Sequence, residues 1–191
     1  APSVAIAYDS RINSRLFAET AAGVFAATGI RVHIYPRLMP TPSLSFAVRD
    51  LRSCGGVVIT ASHNPAKYNG YKVYGADGCQ ITTEAAAAIQ QEINRIDPFA
   101  DVHTLDFAEG LASGIIAYIG EDTVERYLAA VSAASLLPES FSRSASIVYT
   151  PLNGTGISCV PRCLRAHGFA NITIPPEQAE PDGAFPTCPY P

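Results

Sequence analysis

Short apolar runs alternate along this chain with segments of helical period, the pattern of an α/β protein. Val4-Ala5-Ile6-Ala7-Tyr8 reads as a buried strand, with Asp9-Ser10-Arg11 as the loop after it. Asn13 or Ser14 then caps a helix to about Thr28, closed by Gly29. Ile30 to Tyr35 alternates as a second strand. Thr41-Pro42 opens a helix in which Leu44, Ala47, Val48 and Leu51 share one face. Gly56-Val57-Val58-Ile59 is the next strand, and Tyr71 to Tyr74 a short one before the turn at Asp77-Gly78. Thr82 or Thr83 caps an Ala-rich helix ending near Asp97-Pro98. Residues 99–114 read as a linking region. A helix with an acidic first turn runs from Gly120-Glu121-Asp122 to about Leu137.

A second unit follows. A strand at Ser146–Thr150, the Gly-rich loop Pro151-Leu152-Asn153-Gly154-Thr155-Gly156, a helix to about His167 and a strand at Asn171–Ile174 form one βαβ module. The tail from Pro175 holds six of the 15 prolines and is expected to be extended, neither helix nor central strand. A lone βαβ module cannot cover both faces of its sheet. The expectation is therefore either a fragment of a longer α/β protein or a second unit that packs on something outside this chain.

Composition narrows the function classes. With 48% hydrophobic and 16% charged residues the chain can build a sizeable core and is not a disordered segment. The apolar runs are strand-sized, so no membrane-spanning helix is expected, and Ala1-Pro2-Ser3 does not open like a secretory signal. A net charge of −4 removes the basic footprint of a nucleic-acid binder, but placed cations and backbone amides can still hold phosphate. Five scattered cysteines read as reduced, mostly buried thiols of a cytoplasmic protein.

The chemistry concentrates in Thr60-Ala61-Ser62-His63-Asn64-Pro65. A strand ends there, Asn64-Pro65 starts a turn, and Ser62 should stand on a rigid edge with its hydroxyl outwards. A short return strand carries Lys72 back towards it, within Asn69-Gly70-Tyr71-Lys72. Read from the residues alone, Ser62 could simply cap a turn, Lys72 could be a solvated lysine and Arg11 a surface ion-pair arginine. His63 beside Ser62 raises a Ser–His hydrolase, but neighbours in an extended segment point opposite ways, and no Gly-x-Ser-x-Gly elbow is present. The loop at Asn153–Gly156 follows a strand and precedes a helix, yet is no Walker loop, since no Gly-Lys-Ser/Thr follows.

Thr60 to Pro65 with Asn69 to Lys72 resembles the phosphoserine signature of the α-D-phosphohexomutase superfamily, and Tyr8-Asp9-Ser10-Arg11 resembles its Tyr-Asp-x-Arg element. Tyr149–Gly156, Pro176-Glu177-Gln178, Pro181-Asp182-Gly183 and Phe185-Pro186-Thr187 look like the phosphoglucomutase/phosphopentomutase-like branch. The resemblance implies a first domain over 1–115, a mixed sheet with helices on both faces, and the incomplete start of a similar α/β domain over 116–191. It implies that Ser62 carries a phosphoryl group exchanged with a sugar phosphate. It implies Lys72 as cation and proton carrier, His63 in contact with substrate or supporting the phosphoserine, and Arg11 near the phosphate. Asn64 and Asn69 shape the loop and are candidate substrate- or phosphate-binding residues, and Asn153–Gly156 is mainly a connection. It further implies a glucose 1,6-bisphosphate primer, and Mg²⁺ held partly by the phosphate on Ser62, with the remaining ligands outside this chain. The parent is expected to be a cytoplasmic monomer without nucleic-acid or membrane partners, and the chain alone inactive. A phosphomannomutase or phosphopentomutase with the same chemistry, or a non-catalytic sugar-phosphate-binding protein, remains an alternative.

Overall fold

The computed structural model describes residues 1–189; the end of the tail, Tyr190-Pro191, lies outside the described residues. The elements run β1 (Ser3–Tyr8), α1 (Ser14–Ala27), β2 (Arg31–Ile34), α2 (Thr41–Asp50), β3 (Gly55–Ile59), β4 (Tyr71–Gly75), α3 (Thr83–Ile93), α4 (Phe107–Ser113), β5 (Ile116–Tyr118), α5 (Glu121–Ala133), β6 (Ile147–Val148), α6 (Val160–Ala166) and β7 (Ile172–Thr173). The first five strands form one sheet in the order β4-β3-β1-β2-β5. Only β4, at an edge, is antiparallel to its neighbour.

Strand alternation sends successive residues to opposite faces. Val4, Ile6 and Tyr8 of β1, with Val57 and Ile59 of β3, pack on Ala18, Ala22 and Ala26 of α1 and on Phe107 and Leu111 of α4. Ala5, Ala7 and Val58 pack on Leu44, Ala47 and Val48 of α2 and on Val124 and Leu128 of α5. This is the expected mixed sheet with helices on both faces. The small alanines let the helices approach β1 closely, and β1 is the most buried strand.

The second unit is thinner. Strands β6 and β7 pair over two residues each, Ile147 with Ile172 and Val148 with Thr173, far less than the strands expected over 146–150 and 171–174. Among the described residues each has a neighbour on one side only. Pro161 is the one buried residue of α6.

Several expectations need correction. The linking region holds α4, whose cap Asp106 accepts from the backbone N–H groups of Ala108 and Glu109 and whose end is the left-handed Gly114. Strand β5, not foreseen as an element, pairs with β2. Helix α5 stops at Ala133, before Leu137, because Leu136 has nothing to pack on and is 97% exposed. Helix α3 stops at Ile93; capped by the Thr82 hydroxyl, it buries no residue. The tail contains a 3₁₀ turn at Pro176–Gln178. Only Cys159 of the five cysteines is buried, since Cys54 and Cys79 fall in exposed turns. Among the described residues no helix is long and apolar enough to cross a membrane.

Candidate active site

In a parallel sheet, ligands collect beyond the strand carboxyl ends, where successive crossovers leave in opposite directions. Here β1 leads through α1 to β2 on one side, and β2 leads through α2 to β3 on the other. The crevice at the ends of β1 and β3 is flanked by the Asp9–Asn13 loop and the Thr60–Gly70 loop. The Asp9 N–H donates to the Ile59 carbonyl at 3.1 Å and ties the two together.

Ser62 sits on a tight turn closed by the Asn64 N–H donating to the Ala61 carbonyl at 3.1 Å. Its own N–H donates to the Thr60 hydroxyl at 3.0 Å. Its φ is 58°, in the left-handed region, which costs about 1–2 kcal/mol for a non-glycine residue. The side chain is exposed, and its Oγ lies 3.4 Å from His63 Nδ1. A strained yet fixed residue needs strong bracing.

Arg11 supplies that bracing. It is 4% exposed, and Nη1 donates to the carbonyls of Pro65 at 2.9 Å and Tyr68 at 2.8 Å. Nη2 donates to the carbonyls of Ser62 at 2.8 Å and Asn64 at 2.6 Å. Nε faces Asp9 Oδ2 at 3.2 Å as an ion pair, without hydrogen-bond alignment. Asp9 Oδ1 accepts from the Arg11 N–H and the Ser14 hydroxyl. All four terminal guanidinium bonds therefore go to backbone carbonyls. Arg11 shapes the serine loop from beneath, and none of its terminal donors is left over to fork a phosphate.

Asn69 braces the far end of the loop. Its amide donates to the Ser14 hydroxyl at 2.9 Å and the Ile12 carbonyl at 3.3 Å, and its Oδ1 accepts from the Gly70 N–H. A Cβ at Gly70 would meet the Thr60 carbonyl oxygen at 2.6 Å, so only glycine fits this close approach.

A cleft of about 320 Å³ opens over the loop, lined by Arg11, Ser62, His63 and Asn64 on one side and by Pro151–Gly154 and Phe185 on the other. It lies at the small end of ligand-sized clefts. The structure thus gathers Arg11, Ser62, His63 and Asn64, with Asn69 just behind. Lys72 stands apart: on β4 it pairs with Val58, four residues before Ser62, and lines a different cavity between β4 and α3. Pro151–Gly154 forms a wall of the cleft, although the resemblance gives Asn153–Gly156 as mainly a connection, and Phe185 was missed as a site residue altogether. No motif marks it: Phe185 is one of two aromatic residues in the Pro-rich tail, with Tyr190.

The residues around Ser62 do not fit a divalent cation by themselves. Among the described residues no group of three His, Cys, Asp or Glu side chains could hold a metal, and Asp9 is committed to Arg11 and Ser14.

Fold and site together define an α/β/α protein with a ligand cleft at the sheet's switch point. Residues 1–100 match the family model described as phosphoglucomutase/phosphomannomutase, alpha/beta/alpha domain I, and residues 125–191 match domain II. The chain belongs to the phosphoglucomutase/phosphomannomutase family. It is 37% identical to a phosphoglucomutase of Staphylococcus saprophyticus, over 97% of this chain and 33% of that protein. It is 32% identical to a Haemophilus influenzae protein named "Probable phosphomannomutase", over 100% of this chain and 38% of that one. The crystal structure of a provisionally assigned phosphomannomutase from Thermus thermophilus superposes with a TM-score of 0.77 at 30% identity, covering 96% of this chain and 38% of that one. The chain spans about a third of the length of the curated relatives it matches.

Proposed function

We propose that this chain carries the phosphoserine part of a phosphohexomutase, and that Ser62 is the residue that gives and takes the phosphoryl group. The observation that carries the reading is Ser62 itself: an exposed hydroxyl on a left-handed turn, with Arg11 holding four carbonyls of its loop, at the mouth of a cleft. Phosphoryl transfer needs positioning more than covalent assistance, and a braced nucleophile provides it.

In this reading phospho-Ser62 meets a hexose 1-phosphate. The P–Oγ bond breaks, a bond forms from phosphorus to the sugar's 6-oxygen, and the proton of that hydroxyl ends on Ser62 Oγ. The bisphosphate then presents its other phosphoryl group. Oγ attacks it, the bond to the 1-oxygen breaks, and the Oγ proton passes to the oxygen released there, on hexose 6-phosphate. His63 Nδ1, at 3.4 Å, is within relay distance of that proton once the atoms close up. Lys72 enters as a proton carrier on the family resemblance alone. Asn64 faces the cleft and contacts substrate; Arg11 and Asn69 hold the loop. Glucose 1,6-bisphosphate primes the serine. The family resemblance implies Mg²⁺ at the phosphoserine, but the donors here do not build its site and no step is derived through it.

Relatives named phosphoglucomutase favour glucose as the hexose; mannose or a pentose would use the same steps. The domain division near residue 115 belongs to this reading, with the remaining domains of a longer parent supplying sugar and metal recognition. A Ser–His hydrolase finds no support, because among the described residues no carboxylate orients His63.

The test is turnover in the full-length parent. Ser62→Ala is expected to lower glucose 1-phosphate to glucose 6-phosphate conversion by at least about 10⁴-fold with the fold intact. Conversion within tenfold of the unmutated protein would remove Ser62 from the reaction.

A further inference from the structure

We propose that Phe185, from the second unit's tail, is a positioning residue for the serine loop, acting through Arg11. This rests on the reading of Ser62 as the phosphoryl acceptor.

The Arg11 guanidinium uses its edges for the carbonyls of Ser62, Asn64, Pro65 and Tyr68 and for Asp9. That leaves its flat faces. Phe185 lies 5.0 Å from the guanidinium carbon and is itself 3% exposed. A ring there attracts the cation through its negative face. It also keeps water from a group whose four carbonyl bonds would otherwise have to compete with solvent.

The ring is held in place by the tail around it. Phe185 has φ 56°, a left-handed value that an aromatic residue adopts only when its surroundings impose it. Its N–H donates to the Asp182 carbonyl at 3.2 Å, and the Ala184 N–H donates to the Asp182 carboxylate at 2.8 Å. Asn153 Nδ2 donates to the Cys188 carbonyl at 2.7 Å, while the Ser10 hydroxyl reaches the Asn153 carbonyl at 3.4 Å. Gly183 lies so close to the β1–α1 loop that a Cβ would meet the Ser10 carbonyl oxygen at 2.6 Å and the Ile12 nitrogen at 2.7 Å. The tail is therefore keyed onto the loop that carries Arg11, and Arg11 onto the loop that carries Ser62. The geometry of the nucleophile thus depends on where the second unit sits.

Two measurements test this. In the full-length parent, single-turnover transfer from glucose 1,6-bisphosphate to Ser62 is followed by intact mass. Phe185→Leu, which keeps apolar bulk but removes the π face, is expected to lower the maximal transfer rate about tenfold, with the half-saturating bisphosphate concentration unchanged. Phe185→Tyr, which keeps the ring face, is expected to restore it to within about twofold. In the 191-residue chain, amide hydrogen exchange at residues 62–68 should rise in Phe185→Leu and return in Phe185→Tyr. If Phe185→Leu does not fold, Gly183→Ala lifts the tail with the ring intact, and should raise exchange over the same residues.

Wild-type transfer and exchange in Phe185→Leu would overturn the proposal, as would a Tyr variant no better than the Leu one, or unchanged exchange in Gly183→Ala where that variant stands in. Failure of the unmutated parent to phosphorylate Ser62 would instead overturn the reading of Ser62. The exchange arm would then decide by itself whether Phe185 holds the loop.

Discussion

The two walls of the cleft are built to different standards. The wall that carries Ser62 grows out of the central strands β1 and β3, buried on both faces, and is cross-braced by one guanidinium. The opposite wall, Pro151–Gly154 and Phe185, belongs to a unit with two-residue strands and a helix that buries one side chain. The proposed nucleophile, Ser62, sits on the more deeply buried side. The thinner unit meets that side through a few close contacts, Phe185 on Arg11 and Gly183 on the Ser10–Ile12 backbone.

The contrast can be broken first at Arg11. Arg11→Ala leaves four carbonyls and the partly buried Asp9 without their cation, and should destabilise the first unit by about 3–5 kcal/mol in urea unfolding. A loss below about 1 kcal/mol would mean that the loop is held by other means. Next come paired truncations in the two sheets. Ile6→Ala, at a fully buried position of β1, should cost about 2–5 kcal/mol. Val148→Ala, at a 70%-exposed position of β6, should change stability by less than about 0.5 kcal/mol. Comparable losses at the two sites would erase the difference between the walls.

The smallest effect concerns pH. The hydrogen-bonded Arg126 guanidinium on α5 holds the Asp50 carboxyl at the end of α2 below the ordinary carboxylate range. A carboxyl whose folded value is depressed adds stability above its unfolded pKa, about 3.9, and loses it as pH falls through the folded value. Asp50→Asn should therefore be less stable than the unmutated chain at neutral pH, the gap closing as the medium is acidified below about pH 4. A gap of constant size across that range would show that the ion pair is not its source.

Much of this architecture is readable in the amino-acid order, because apolar period and capping chemistry act locally. Strands β1 and β3 are uninterrupted apolar runs, and Thr82 caps α3 as its sequence suggests. What escaped depends on partners distant in the chain. Strand β5 is three residues long and exists because β2 offers it an edge. Helix α4, in a stretch read as a linker, forms where Asp106 caps it and Gly110 packs flush on Ile116. At the site, the exposed turn at Ser62 was legible from the strand end and Asn64-Pro65. The engagement of every terminal Arg11 donor with carbonyls was not, since it requires four residues of another loop to converge on one side chain. Phe185 was silent for the same reason: its importance comes from the cation beneath it.

The most direct measurement is phosphopeptide mapping of the full-length parent after incubation with glucose 1,6-bisphosphate. The expected result is one phosphoryl group, on the peptide containing Ser62, that is discharged when glucose 1-phosphate is added. Phosphate on another residue, or a Ser62 peptide of unchanged mass, would contradict the account.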